Sequence, residues 1–263
     1  MRRISGGGFK ATIIGILLVL LGFGPAAAAE FTDAQKAEIE KIVGEYIEKN
    51  PEFIADYLRR NPEILIEISD ILRARRVAQE QEARSYTLKA HRDKIERHPM
   101  TPVTGNPEGD VTLVEFFDYN CPYCKKAFKD VAALEGEDSN LRVVWKEFPI
   151  LGPISRYAAR AAMAAHRQGK YMAFHEAVMT GPRLASEEQV LKIAEKAGLN
   201  IEQLQKDMQD PAIEAYLDET IQLANALGIN GTPGFVVGDE IISGAISKAD
   251  MRNVIEFTRK NGS

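Results

Sequence analysis

The chain has 263 residues, 45% of them hydrophobic, with 33 Lys and Arg against 38 Asp and Glu and a formal net charge of −5. Length and apolar content allow one large domain or two small ones with a real core. The acidic balance counts against nucleic acid and anionic membrane as partners, and two cysteines are too few for a disulfide-stapled scaffold.

Residues 1–29 read as a segment apart. Arg2, Arg3 and Lys10 form a basic start, and 11–24 is an apolar run too short for an ordinary membrane span. Ala27-Ala28-Ala29 before Glu30 has the small-residue pattern of a signal-peptide cleavage site. Arg2-Arg3 raises the twin-arginine route, but Gly6-Gly7-Gly8 lies where that signal is apolar, so ordinary secretion is the expectation. An uncleaved anchor is the other reading. Cleavage after Ala29 would leave 30 basic and 38 acidic residues, a charge of −8, in a periplasmic or secreted protein meeting an oxidising compartment.

Residues 30–97 are predicted to be a helical domain. Thr32 and Gln35 resemble a capping box, and Ile39, Ile42, Val43, Tyr46 and Ile47 form one apolar stripe. Asn50-Pro51-Glu52 and Asn61-Pro62-Glu63 repeat, each reading as N-cap, first-turn proline and first-turn acid of a new helix. The third helix carries Ile64, Leu65, Ile68, Ile71 and Leu72, after which 73–97 reads as a charged, solvated helix leading to a linker. The stripes have too few large side chains to bury themselves, so a homo-oligomer through residues 30–95 is expected, with packing on the rest of the chain as the alternative.

Residues 98–263 form the second domain. Its proline- and glycine-rich start, 98–109, is predicted to be a linker with a short edge strand at 100–103 and a turn at 106–109. A buried strand from Val111 then runs into Cys121-Pro122-Tyr123-Cys124, and Ala127, Phe128, Val131 and Leu134 follow at helical spacing. A second strand at 141–148, a helical block at about 152–228, a hairpin around Gly238-Asp239 and a helix at 247–259 complete the order. This is an α/β chain, a thioredoxin fold with a helical insertion, preceded by an all-helical segment.

The cysteine pair sits where a strand hands over to a helix. Pro122 suits the first helical position, which makes Cys121 the N-cap. Its sulfur would face the unpaired N–H groups of Tyr123 and Cys124 and the positive end of the helix dipole, where a thiolate is favoured. Cys121 is therefore the expected nucleophile, and Cys124, one turn further in, the resolving thiol. A structural zinc site would need four ligands, and haem attachment would need His where Lys125 stands. Lys125 and Lys126 would lower the thiolate pKa if they faced it, but a solvated helix face is the favoured reading.

Val114-Glu115-Phe116-Phe117-Asp118-Tyr119-Asn120 before the pair, Phe148-Pro149-Ile150-Leu151-Gly152-Pro153, and Gly231-Thr232-Pro233-Gly234-Phe235 resemble the DsbA-like thiol:disulfide oxidoreductases over roughly residues 100–263. The N-terminal helices with their repeated Asn-Pro-Glu resemble the N-terminal domain of the suppressor-of-copper-sensitivity proteins, ScsC. The resemblance implies a cis Thr232–Pro233 bond against the cysteines, with the Thr232 backbone free to pair with a substrate strand. It also implies that Glu115 is a buried proton acceptor for Cys124. No cofactor beyond the redox-active Cys121–Cys124 disulfide is expected. Protein substrates with thiols or disulfides, and a membrane redox partner that reoxidises or reduces the enzyme, are implied. Oxidase and isomerase action share all these residues. The alternative of another class is a copper(I) carrier on the same two cysteines.

Overall fold

The computed structural model describes residues 30–262, so the expected signal segment and its cleavage site lie outside the described residues. The chain divides into two compact units, Met1–Ile71 and Leu72–Ser263. The domain boundary drawn from sequence at 97/98 therefore differs from the division by contacts.

The described part of the first unit holds α1 (Asp33–Lys49), α2 (Pro51–Arg60) and the start of α3 (Glu63–Glu96). The capping box is present: Gln35 N–H donates to Thr32 Oγ1 at 3.3 Å, and Thr32 N–H donates to Gln35 Oε1 at 2.9 Å. The two asparagines act differently from the expected N-caps. Asn50 Nδ2 donates back to Tyr46 O and Asn61 Nδ2 to Tyr57 O, both at 2.7 Å, so each side chain closes the helix behind it. Both asparagines have nearly the same backbone angles, φ −132 with ψ 66 and φ −130 with ψ 64. The repeat in sequence is thus a repeat in geometry. Neither α1 nor α2 buries a residue, and Ile39, Ile42, Val43, Tyr46, Phe53 and Tyr57 are exposed.

The second unit is built on a five-stranded mixed sheet of order β1-β3-β2-β4-β5. Its strands are β1 (Val103–Gly105), β2 (Val111–Phe117), β3 (Leu141–Glu147), β4 (Gly234–Val237) and β5 (Glu240–Ser243). β1 lies slightly beyond the expected 100–103, because 98–101 closes a turn in which Thr101 N–H donates to His98 O. β2 is central, parallel to β3 and antiparallel to β4. Both faces of the sheet are covered, so β2 is buried along nearly its whole length. α4 (Pro122–Glu137) joins β2 to β3, and five helices separate β3 from β4: α5 (Pro153–Arg167), α6 (Tyr171–Met179), α7 (Glu187–Lys196), α8 (Ile201–Asp207) and α9 (Pro211–Ala226). Gly238, at φ +59, permits the β4–β5 turn, and α10 (Lys248–Asn261) ends the described chain.

Leu113, Phe117, Trp145 and Phe235 face a core shared with α4, α5 and α10. Val114, Phe116, Val144 and Val236 face the opposite core, with Leu223 and Leu227. Leu88 and Ile95 of α3 belong to that second core, each 1% exposed. The expectation that 73–97 is solvated holds for 73–84, which are exposed throughout, and is corrected beyond them: Leu88 and Ile95 lie seven apart on one helix face and dock there. Two cations hold the end of α3. Arg142 Nη2 donates to Glu96 O at 2.8 Å and Lys146 Nζ to Lys94 O at 2.6 Å, charge placed where terminal carbonyls are unpaired.

Candidate active site

β2 ends at Phe117, and after a three-residue loop Cys121 caps α4 with extended backbone, φ −80 and ψ 118, while Pro122 takes the first helical position. Both cysteines are free thiols. Cys121 is 3% exposed and Cys124 is fully buried behind it, while Tyr123 points outward, 63% exposed. The Cys121 S–H donates to Thr232 O at 3.2 Å. That carbonyl favours the neutral thiol, but the donors around the sulfur outweigh it. The Cys124 thiol, the Thr232 side chain and the N–H groups of Cys124 and Tyr123 all favour the thiolate, and the Cys121 pKa is lowered to about 5. Cys124 moves the opposite way: burial, the hydrogen bond to Cys121 and the nearby Glu115 push its pKa far up. The two sulfurs therefore have opposite proton preferences, and the one at the N-terminus of α4 carries the charge.

Thr232 lies two residues before the start of β4, and its peptide bond to Pro233 is cis. Glu115 is in the central strand, opposite Trp145 of β3 and Phe235 of β4, on the face that looks toward α4. It is fully buried and neither carboxyl oxygen has a hydrogen-bond partner. Burial, and then the charge on Cys121, raise its pKa well above the ordinary carboxylate value. The structure thus gathers Glu115, Cys121, Pro122, Tyr123, Cys124, Thr232 and Pro233 at the junction of β2, α4 and β4.

Lys125 is not on a solvated face. It is half-buried, and Nζ donates to Val178 O at 2.5 Å and Gly181 O at 3.2 Å at the end of α6. Lys126 remains exposed. The sequence reading also missed a buried polar cluster beneath the loop. Tyr119 Oη and Tyr171 Oη donate to Glu147 Oε1 at 3.1 and 2.9 Å, and Tyr119 Oη lies 3.0 Å from His175 Nδ1. His175 is fully buried among the rings of Phe117, Phe128, Trp145 and Tyr171, and burial lowers its pKa to about 3. These residues come from β2, the loop after it, α4, β3 and α6, so no single local pattern marks the cluster. Among the described residues no group of three or more His, Cys, Asp or Glu side chains is placed to hold a metal ion.

The family model "DSBA-like thioredoxin domain" matches residues 112–256, and "Copper resistance protein ScsC N-terminal domain" matches residues 52–79. Among solved structures, a thioredoxin-like oxidoreductase from Silicibacter pomeroyi is 50% identical, covering 64% of this chain and 98% of that one at a TM-score of 0.63. The thiol-disulfide exchange protein alpha-DsbA2 from Wolbachia pipientis is 27% identical, covering 68% and 97% at 0.63. A periplasmic thioredoxin-like protein from Salmonella enterica serovar Typhimurium is 27% identical, covering 64% and 95% at 0.59. Curated relatives include the Na(+)/H(+) antiporter NhaA of Herminiimonas arsenicoxydans, 31% identical over 163 residues, or 60% of this chain and 25% of that protein. The chain spans about a quarter of the length of such relatives.

Proposed function

Because the chain belongs to the DSBA-like thioredoxin family, we propose that it is an exported thiol:disulfide oxidoreductase whose exchanging pair is Cys121 and Cys124. The opposed proton preferences of the two sulfurs carry this reading. In the oxidised enzyme a substrate thiolate attacks Cys121 Sγ, the Cys121–Cys124 bond breaks, and Cys124 leaves as a thiolate that takes up a proton. A second substrate thiolate attacks the substrate sulfur of the mixed disulfide, and Cys121 departs as the stabilised thiolate. Two substrate thiols have become a disulfide, and the enzyme holds the two electrons until a redox partner removes them. Glu115 supplies the proton to Cys124 in this direction and accepts it in reverse, a role that suits an unpartnered, neutral, buried carboxyl group. A stabilised Cys121 thiolate stabilises the reduced enzyme, so donation of its disulfide is the favoured direction. No further cofactor enters.

Cys124→Ser tests the division of labour. It is expected to accumulate mixed disulfides between Cys121 and clients, visible on non-reducing gels, because the intramolecular escape is gone. A Cys124→Ser chain that traps nothing, while Cys121→Ser does, would reverse the roles. Copper(I) carriage is the second reading, favoured by the match at 52–79. Catalytic turnover of a dithiol peptide in copper-free buffer supports exchange, and stoichiometric copper(I) binding without turnover supports carriage. Transport of the kind named for the antiporters is not part of this reading. Among the described residues no helix is long and apolar enough to cross a membrane.

The exposed apolar stripe of α1 and α2 joins copies of the chain. Each aliphatic side chain it buries contributes roughly 1.5–3 kcal/mol, so several per copy offset the entropy of association. Light scattering at micromolar concentration is expected to find an oligomer for residues 30–263 and a monomer for 72–263. A monomer in both cases sinks the assembly, and with it isomerase action by facing sites.

A further inference from the structure

Three residues separate the end of β2 from Cys121, and each sends its side chain to a different part of the fold. Asp118 Oδ1 accepts Asn120 N–H at 2.8 Å, and Oδ2 accepts Leu151 N–H at 2.9 Å from the loop after β3. Asn120 pairs with one backbone unit: its Oδ1 accepts Leu184 N–H at 2.8 Å, and its Nδ2 donates to Leu184 O at 3.2 Å. Tyr119 reaches down to Glu147. All three are buried, at 1%, 5% and 1% exposed for Asp118, Asn120 and Tyr119. The backbone adds Cys121 N–H to Asp118 O at 3.0 Å, closing a turn directly onto the nucleophile.

The deep branch ends in a buried polar cluster. Tyr119 Oη and Tyr171 Oη both meet Glu147 Oε1, and Tyr119 Oη also lies 3.0 Å from His175 Nδ1. A phenol can donate and accept, so Tyr119 joins the carboxyl to the imidazole. Burial raises the Glu147 pKa well above the ordinary carboxylate value.

We propose that Asp118, Tyr119 and Asn120 are positioning residues that form a three-point clamp on Cys121, with Glu147 as its buried anchor and the helical insertion as its far wall. The proposal rests on Cys121 being the exchange nucleophile. Tyr171 and His175 lie on α6, and Leu184 lies between α6 and α7, so two of the three points end on the insertion or are braced by it. The donors that surround the Cys121 sulfur are directional. They stabilise a thiolate only while the sulfur stays at the N-terminus of α4. The insertion thus shapes the chemistry of a residue it does not contain.

The test measures the pH dependence of Cys121 alkylation and the melting temperature in the full chain and in single variants. Tyr119→Phe, which removes one oxygen, and Asn120→Ala are each expected to raise the Cys121 midpoint by about one pH unit. Tyr171→Phe takes a phenol from the same carboxyl but not from the loop, and is expected to lower the melting temperature with the midpoint unmoved. Where Asn120→Ala does not fold, Tyr119→Phe decides. A low midpoint in the parent, unmoved in Tyr119→Phe, overturns the clamp alone. A parent midpoint at the ordinary thiol value overturns the nucleophile reading and the clamp together.

Discussion

Cys121→Ser is expected to lose disulfide exchange by about a thousandfold or more, because a hydroxyl neither ionises at working pH nor forms the mixed disulfide. In the parent, the alkylation rate of Cys121 should follow its thiolate fraction. It should be half-maximal near a pKa of about 5, level above neutrality and falling with acid below. The same displacement has a consequence for stability. A lowered pKa favours the charged form in the folded protein, so this contribution is fully present above the ordinary thiol value of about 8.5. It declines as the pH falls and is gone below about 5. Cys124, pushed upward, stays protonated across that window and adds nothing to it. The oxidised protein has no thiol to titrate. The reduced form should therefore gain on the oxidised form as pH rises from 5 toward 8.5, read by paired denaturant titrations. An alkylation midpoint near the ordinary thiol value would remove the physical basis of the site.

The second large effect lies at the other end of the unit. A chain starting at residue 72 is expected to fold and keep the Cys121 midpoint, whereas one starting at 98 is expected to be unfolded or nearly so at 37 °C. The shorter chain loses Leu88 and Ile95 from the core against Phe116, Val144 and Val236. Removing most of one buried Leu or Ile side chain costs about 2–5 kcal/mol, and a whole domain has about 5–15 kcal/mol to lose. The truncation also takes Lys94 O from Lys146, a 1%-exposed ammonium whose pKa burial has already lowered to about 7. Leu88→Ala and Ile95→Ala in the longer chain should each lower the denaturant midpoint with an unchanged slope. Equal midpoints for the two truncated chains would show that the end of α3 is dispensable.

What could be read from sequence was local. The proposed nucleophile is marked by a short succession: strand, three-residue loop, N-cap, N1 proline and helix. Thr32 with Gln35, and Ser186 before α7, likewise carry their caps within a turn. The failures share one cause. Asn50 and Asn61 can bond forward or backward along the chain, and composition does not choose between the two. In α3 only Leu88 and Ile95 anchor a run dominated by charge, a stripe too thin to read. Lys125 reads as solvated because nothing near it in sequence reveals that Val178 and Gly181 will be its neighbours. Glu147 and His175 lie 28 and 56 residues from Tyr119, and their meeting is decided only when the insertion folds back over the sheet.

The burial of Cys124 beside Cys121 also bears on damage by peroxide. An oxidant such as hydrogen peroxide consumes thiolates, so the reduced protein offers it Cys121 and withholds Cys124. The first product is a sulfenic acid on Cys121, and from there the chemistry divides. A second peroxide would carry it to the irreversible sulfinic acid. The Cys124 thiol, already hydrogen-bonded to that sulfur, can instead condense with it, releasing water and leaving the Cys121–Cys124 disulfide. Oxidative stress would thus return the protein to a working oxidation state, and a Cys124→Ser chain would accumulate the dead-end acid in its place.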